Sequence, residues 1–112
     1  MTFEVFRSKK DQKFYFELKD KKGEVLLYSQ GYVSKAGCLK GIRSVRKNCT
    51  DTHKYESKEK KGKKSRFVLK AKNGEIIGDG PSQTSNAAVK ATIKVIMKGA
   101  TKASLAYLKL KK

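Results

Sequence analysis

"SQGYVSKAGCLKGIRSVRKN", residues 29–48, is answered further along the chain by "GPSQTSNAAVKATIKVIMKG", residues 80–99, with Ser34, Ala36 and Ile42 standing against Ser85, Ala87 and Ile93. Each stretch reads as a helix with its own cap. Ser34 and Ser85 suit the N-cap, where a hydroxyl accepts a bond from a backbone N–H that the helix leaves free. Ala36, Leu39, Ile42 and Val45 in the first copy, and Val89, Ile93 and Ile96 in the second, recur at three and four residues, the spacing of a buried stripe.

Outward from the helices the same register holds. Phe16 pairs with Phe67, Leu18 with Leu69, Lys19 with Lys70, Lys21 with Lys72, Gly23 with Gly74, Glu24 with Glu75 and Lys47 with Lys98. So many identities at one fixed shift mark an internal duplication. Ahead of the first helix, "FEVF" (3–6) and "FYFELK" (14–19) alternate as strands around the turn "RSKKDQK" (7–13), and "VLLYSQ" (25–30) follows. The second copy offers "KYES" (54–57), "RFVLKA" (66–71), the hairpin dipeptide Asn73-Gly74 and "EIIGDG" (75–80).

The expected fold is therefore α+β: a tandem duplication of a three-stranded antiparallel meander followed by one helix, with the helices packed on the sheet. A unit of about 47 residues is too small to bury an adequate core by itself. The repeats 3–49 and 54–99 are accordingly read as one domain, with a linker at 50–53 and a basic extension at 100–112. In that extension Leu105, Leu108 and Leu110 suggest a short closing strand.

Twenty-eight Lys and Arg against ten Asp and Glu leave a net charge of +18. An excess this large favours polyanions such as nucleic acid. Its arrangement is not random: Lys40, Arg43 and Lys47 on the first helix, and Lys90, Lys94 and Lys98 on the second, form one face each, off the apolar stripes. Like charges at i and i+4 cost a helix a few tenths of a kcal/mol per pair, so a binding use gives a reason to keep them. A second cluster, Lys58, Lys60, Lys61, Lys63, Lys64 and Arg66, surrounds Gly62 at a hairpin tip, as a basic finger tracking phosphates would. Lysine outnumbers arginine, which argues against base reading by bidentate contacts. Tyr15, Tyr28, Tyr32 and Tyr107 are the candidate platforms for stacking bases, although Tyr15, across the strand from Phe14 and Phe16, reads first as packing.

Little points to catalysis. His53 stands alone in the linker, where a zinc site needs about four ligands. No nucleophile elbow, P-loop or dinucleotide fingerprint is present. Glu24 and Glu75 follow turn glycines, where solvated residues belong. No catalytic residue, cofactor or metal is expected. Cys38 and Cys49 are expected to stay reduced, with Cys38 a small core residue. No stretch has the length of a signal h-region or a membrane span, so the expectation is a cytoplasmic protein without a membrane partner.

The order of Phe16, Leu18, Gly23, Ser29, Gly31, Tyr32, Ser34, Lys35, Ala36, Gly41, Ile42, Ser44, Val45 and Asn48 resembles the repeat of the YegP-like family, small bacterial proteins of unknown function. The resemblance implies a tandem α+β domain and brings no activity with it. Gly31, Tyr32, Ser34 and Lys35 mark a family-motif site. Copy two has Ser82, Gln83 and Asn86 in place of Gly31, Tyr32 and Lys35, and Thr92 in place of Gly41, so such a site would be single. Composition and resemblance together lead to a non-enzymatic module that binds nucleic acid or another polyanion weakly and without sequence preference. The alternative is a structural or protein-interaction module, with a homodimer among its forms, using an edge strand or sheet face.

Overall fold

The computed structural model describes residues 1–58 and 64–108. The elements run β1 (Thr2–Arg7), β2 (Phe14–Lys19), β3 (Val25–Tyr28), α1 (Lys35–Asn48), β4 (Tyr55–Lys58), β5 (Arg66–Lys70), β6 (Ile76–Asp79), α2 (Asn86–Gly99) and β7 (Ser104–Tyr107), with short 3-10 turns at Thr52–Lys54 and Ala100–Lys102. All seven strands join one mixed sheet in the order β4-β5-β6-β3-β2-β1-β7. The class is α+β, as the alternation and capping signals suggest.

Neighbouring strands pair antiparallel within β1–β3 and within β4–β6, and β7 alone runs parallel, against β1. The turns between β2 and β3 and between β5 and β6 need a left-handed residue, supplied by Gly23 (φ 86°) and Gly74 (φ 87°). The halves meet at β3 and β6, where Tyr28 pairs with Asp79. These two residues are equivalents under the repeat register, so the halves are related by a local two-fold through that pair.

Alternation along β1 and β2 turns Phe3, Val5, Phe16 and Leu18 to one face, and all four are buried. Register shifts after Leu18 and after Leu69 leave Leu26 and Ile77 as the extra residues of two bulges. A bulge re-aims the side chain that the pleat would have sent outward. Leu26 and Leu27, though adjacent, both join the core, as does Ile77. That single cluster also contains Cys38, Ile42 and Val45 of α1 and Val89 and Ile96 of α2, so both helices cover the same face. Each large apolar side chain buried there contributes roughly 1.5–3 kcal/mol.

The stripe on α1 needs one correction. Ala36 is exposed and Leu39 only half-buried, whereas Cys38, Gly41, Ile42, Val45 and Asn48 are buried. Steps of three fall short of a full turn by roughly 60° each, so a run of threes walks around the helix and leaves the sheet by its first member. Cys38 and Cys49 are both fully buried and unbridged, and burial pushes the Cys38 thiol up to about 11.

Candidate polyanion-binding surface

Helix register decides where the cations go. Ser34 Oγ accepts from Gly37 N at 3.0 Å and Ser85 Oγ from Ala88 N at 3.1 Å, so both caps form and fix where each helix begins. With Ile42, Val45 and Ile96 held against the sheet, Lys40, Arg43 and Lys47 on α1 and Lys90, Lys94 and Lys98 on α2 are all exposed. None of the six forms an ion pair with a described residue. Lys58, Lys64 and Arg66 are likewise exposed at the mouth of the β4–β5 hairpin. Lys60, Lys61 and Lys63, expected at a hairpin tip, lie outside the described residues, as do residues 109–112 of the basic extension.

The acids are elsewhere. Neither helix contains one, and neither do residues 25–50 or 80–112. Several carboxylates sit on the sheet face away from the helices, where Lys19 reaches Glu4 at 2.8 Å and Lys70 reaches Glu56 at 2.6 Å. The Lys70 ammonium holds the Glu56 carboxyl below the usual carboxylate range. Others are bound into turns: Asp20 Oδ1 accepts from Lys22 N and Glu24 N, and Asp51 Oδ1 accepts from His53 N. Asp11 accepts from the Tyr15 hydroxyl, which lowers the Asp11 carboxyl and raises the Tyr15 phenol. All the acids lie in residues 4–24 and 51–79, so some cations there have a carboxylate close by, whereas those of α1 and α2 have no acid on their own helix.

Arg46 is the cation on α1 that the stripe pattern passes over. Its Nη2 donates to Ala103 O at 2.9 Å and its guanidinium lies 5.3 Å from the centre of the Phe3 ring, tying α1 to the chain entering β7. The signal for this was its position beside Val45, on the flank of the buried stripe rather than opposite it.

The family-motif residues are occupied by folding contacts. Tyr32 bridges to Phe14 through reciprocal backbone bonds of 2.8 Å, and its ring stacks on Phe16. Burial raises its phenol. Gly31 lets the chain pass close to Tyr15, where a Cβ would lie 3.0 Å from the hydroxyl. Ser34 is the cap, and the Lys35 ammonium sits 4.1 Å over the Tyr107 ring. Glu24, Tyr32 and Lys35 do not gather: Glu24 lines an open groove of about 510 Å³ with Met1 and Val95, whereas Lys35 lines another beside Tyr107. Tyr15 stacks on Phe6 rather than standing free, while Tyr28 and Tyr107 are the exposed rings. Among the described residues no group of His, Cys, Asp and Glu is placed to hold a metal, and His53 reaches only Asp51, at 3.3 Å. Among the described residues no helix is long and apolar enough to cross a membrane.

Comparison with known proteins places this geometry among relatives. The family model for the domain of unknown function DUF1508 matches twice, over residues 9–56 and 60–106. A UPF0339 protein encoded in the 5′ region of the ptx operon of Stutzerimonas stutzeri is 42% identical over 86 residues, 77% of either chain. The UPF0339 protein YegP of Yersinia pestis is 40% identical over 96 residues, 86% of this chain and 85% of that one. The solution NMR structure of the UPF0339 protein from Shewanella oneidensis superposes with a TM-score of 0.88 at 33% identity, covering 96% of this chain and 91% of that chain. The solution NMR structure of YegP from E. coli, described as a protein of unknown function, gives 0.88 at 32% identity, covering 96% and 92%.

Proposed function

The chain belongs to the DUF1508 family of YegP-like proteins, a family with no assigned function, and from its own charge layout we propose that it is a non-enzymatic, cytoplasmic polyanion-binding module. The helix layer is the contact surface. Its physiological ligand class is nucleic acid, held by the phosphate backbone without reading bases.

One observation carries this reading: Lys40, Arg43, Lys47, Lys90, Lys94 and Lys98 are exposed on two helices that contain no acid, while the acids of the chain all lie in residues 4–24 and 51–79, several of them paired with lysine or bound into turns. Ordinary solubility is served by interspersed signs, and a one-signed layer raises the local concentration of counter-ions and of polyanions that replace them. Lysine point charges suit phosphates without imposing the planar geometry that arginine brings to base edges. The tandem architecture is read as a duplicated meander-plus-helix unit, and it gives such a surface two helices where one unit would give one.

Fluorescence anisotropy with short labelled single-stranded and duplex DNA and RNA, at about 50 and 200 mM salt, tests it. Several phosphate contacts should weaken binding by orders of magnitude across that range. Absence of binding at the lower salt would remove the proposal.

A further inference from the structure

The two edges of the sheet are finished in different ways. β4 closes one side with Glu56, Ser57 and Lys58 all exposed, the charged cover that keeps an edge from pairing. β7 closes the other with Ser-Leu-Ala-Tyr followed by Leu108, a run without charge. Leu105, Tyr107 and Leu108 remain 40%, 52% and 40% exposed.

The backbone of β7 has one side still available. Ser104 N donates to Met1 O at 3.0 Å and Leu108 N to Val5 O at 2.8 Å. In a parallel ladder alternate residues bond to the same neighbour, so Leu105 and Tyr107 turn their N–H and C=O groups away from β1. β7 is the last strand in the sheet order, and those groups meet no further strand among the described residues.

Two grooves flank this edge. One, of about 210 Å³, lies between Leu105 and the Leu39, Ile42, Arg43 and Arg46 side of α1. The other, of about 260 Å³, is formed by Tyr107 and Leu108 with Phe6, Phe14, Arg7 and Lys35. Both have apolar walls with cations at the rim, and no acid lines either one.

We propose that the outer edge of β7 is a docking site for an extended segment of another protein, one with apolar residues two apart and Asp or Glu flanking them. The segment adds to the sheet as a strand, with backbone bonds to Leu105 and Tyr107. Its apolar side chains lie beside these two residues and its carboxylates meet Arg7, Lys35 and Arg43. Charge complementarity selects this occupant: a second copy would bring the same cations face to face on a chain of net charge +18. The surface shares only Arg43 with the helix stripes and otherwise rests on β7 and its flanking grooves, so it stands whether or not the chain binds nucleic acid.

The test is an NMR titration of the ¹⁵N-labelled protein with a synthetic nonapeptide carrying Val-Thr-Leu-Thr-Val between two pairs of Glu. A second peptide has the same sequence but is N-methylated at alternate backbone nitrogens. The first should shift the amides of residues 104–108 and of Lys35 and Arg43, and the second should bind at least tenfold more weakly. Leu105→Pro removes an outward N–H while leaving the bonds to β1, a change an edge strand accommodates, and should lower affinity tenfold or more. Leu105→Glu alters only an exposed side chain and should do the same by repulsion. Equal binding of the N-methylated peptide, shifts confined to residues 40–47 and 90–98, or full affinity in both variants would overturn the proposal.

Discussion

The Tyr32 ring occupies the notch that Gly41 leaves in the middle of α1: a Cβ at Gly41 would overlap the Tyr32 hydroxyl and lie 2.7 Å from its Cζ and 3.2 Å from Phe16 Cε2. At the equivalent places of the second half, Gln83 donates to Thr92 Oγ1 at 2.8 Å. One half fills the space with a ring against a bare backbone, and the other with two polar side chains bonded across it. The substitutions at 83 and 92 are thus one change made at two sites.

Gly41→Ala should therefore destabilise the protein. Alanine gains about 1 kcal/mol in helix propensity over glycine, but overpacking a filled site costs about 1–3 kcal/mol. Gly41→Thr alone should cost more still. Tyr32→Gln combined with Gly41→Thr, which rebuilds the pair seen at Gln83 and Thr92, should recover at least 1 kcal/mol relative to the sum of the single changes. Urea melts of the four proteins make the cycle, and strict additivity would contradict the coupling.

Ser34→Ala and Ser85→Ala should each cost about 1 kcal/mol, because each hydroxyl satisfies one free N–H in the first turn. The two should add, since the caps belong to separate helices and share no partner. Thermal melts that leave either variant unchanged would argue against its cap.

Stability should fall at high pH. Cys38 is raised from 9.0 to about 11 by burial, and burial also raises Cys49, Tyr32 and Tyr55. Above pH 9 an unfolded chain releases the Cys38 proton that the folded chain still holds. The contribution is complete below about pH 9 and is lost as pH rises through about 11. Urea midpoints measured from pH 8 to 11 should decline, and less steeply in Cys38→Ala. The same burial should make both thiols inert to a disulfide reagent at pH 8 until denaturant is added.

Replacing Lys40, Arg43 and Lys47 with Gln should flatten the dependence of log K for duplex DNA on log salt. Each phosphate contact removed lowers the slope by about 0.9. The change should be the same for unrelated DNA sequences of equal length, since no base is read. A loss of affinity for one sequence only would indicate recognition of another kind.

Much of the fold was legible because it rests on local chemistry. Ser34 and Ser85 announced helix starts, and Gly23 and Asn73-Gly74 announced turns. Alternation placed Phe14 and Phe16 across the strand from Tyr15. The parallel pairing of β7 with β1 was not legible, because four residues without a turn signal do not say which edge they will meet. The burial of Leu26 beside Leu27 was hidden too, since it depends on a bulge defined only by the partner strand. Of the candidate site, the cation stripes could be read from helical spacing. Gly31, Tyr32 and Ser34 looked like a motif awaiting a ligand, yet each is explained by a neighbour distant in sequence or by its place at a helix end.

Tyr28 and Asp79 lie opposite one another at the seam between β3 and β6, each the counterpart of the other in its own half. A chain with only one half would present the same edge to an identical chain, and its sheet would close only at the rate and concentration at which two molecules meet. Joining the halves through residues 49–54 makes that encounter unimolecular, at an effective concentration on the order of millimolar that dilution cannot lower. It also frees the halves from having to be alike, so that one could keep Tyr32 over Gly41 while the other adopted Gln83 and Thr92.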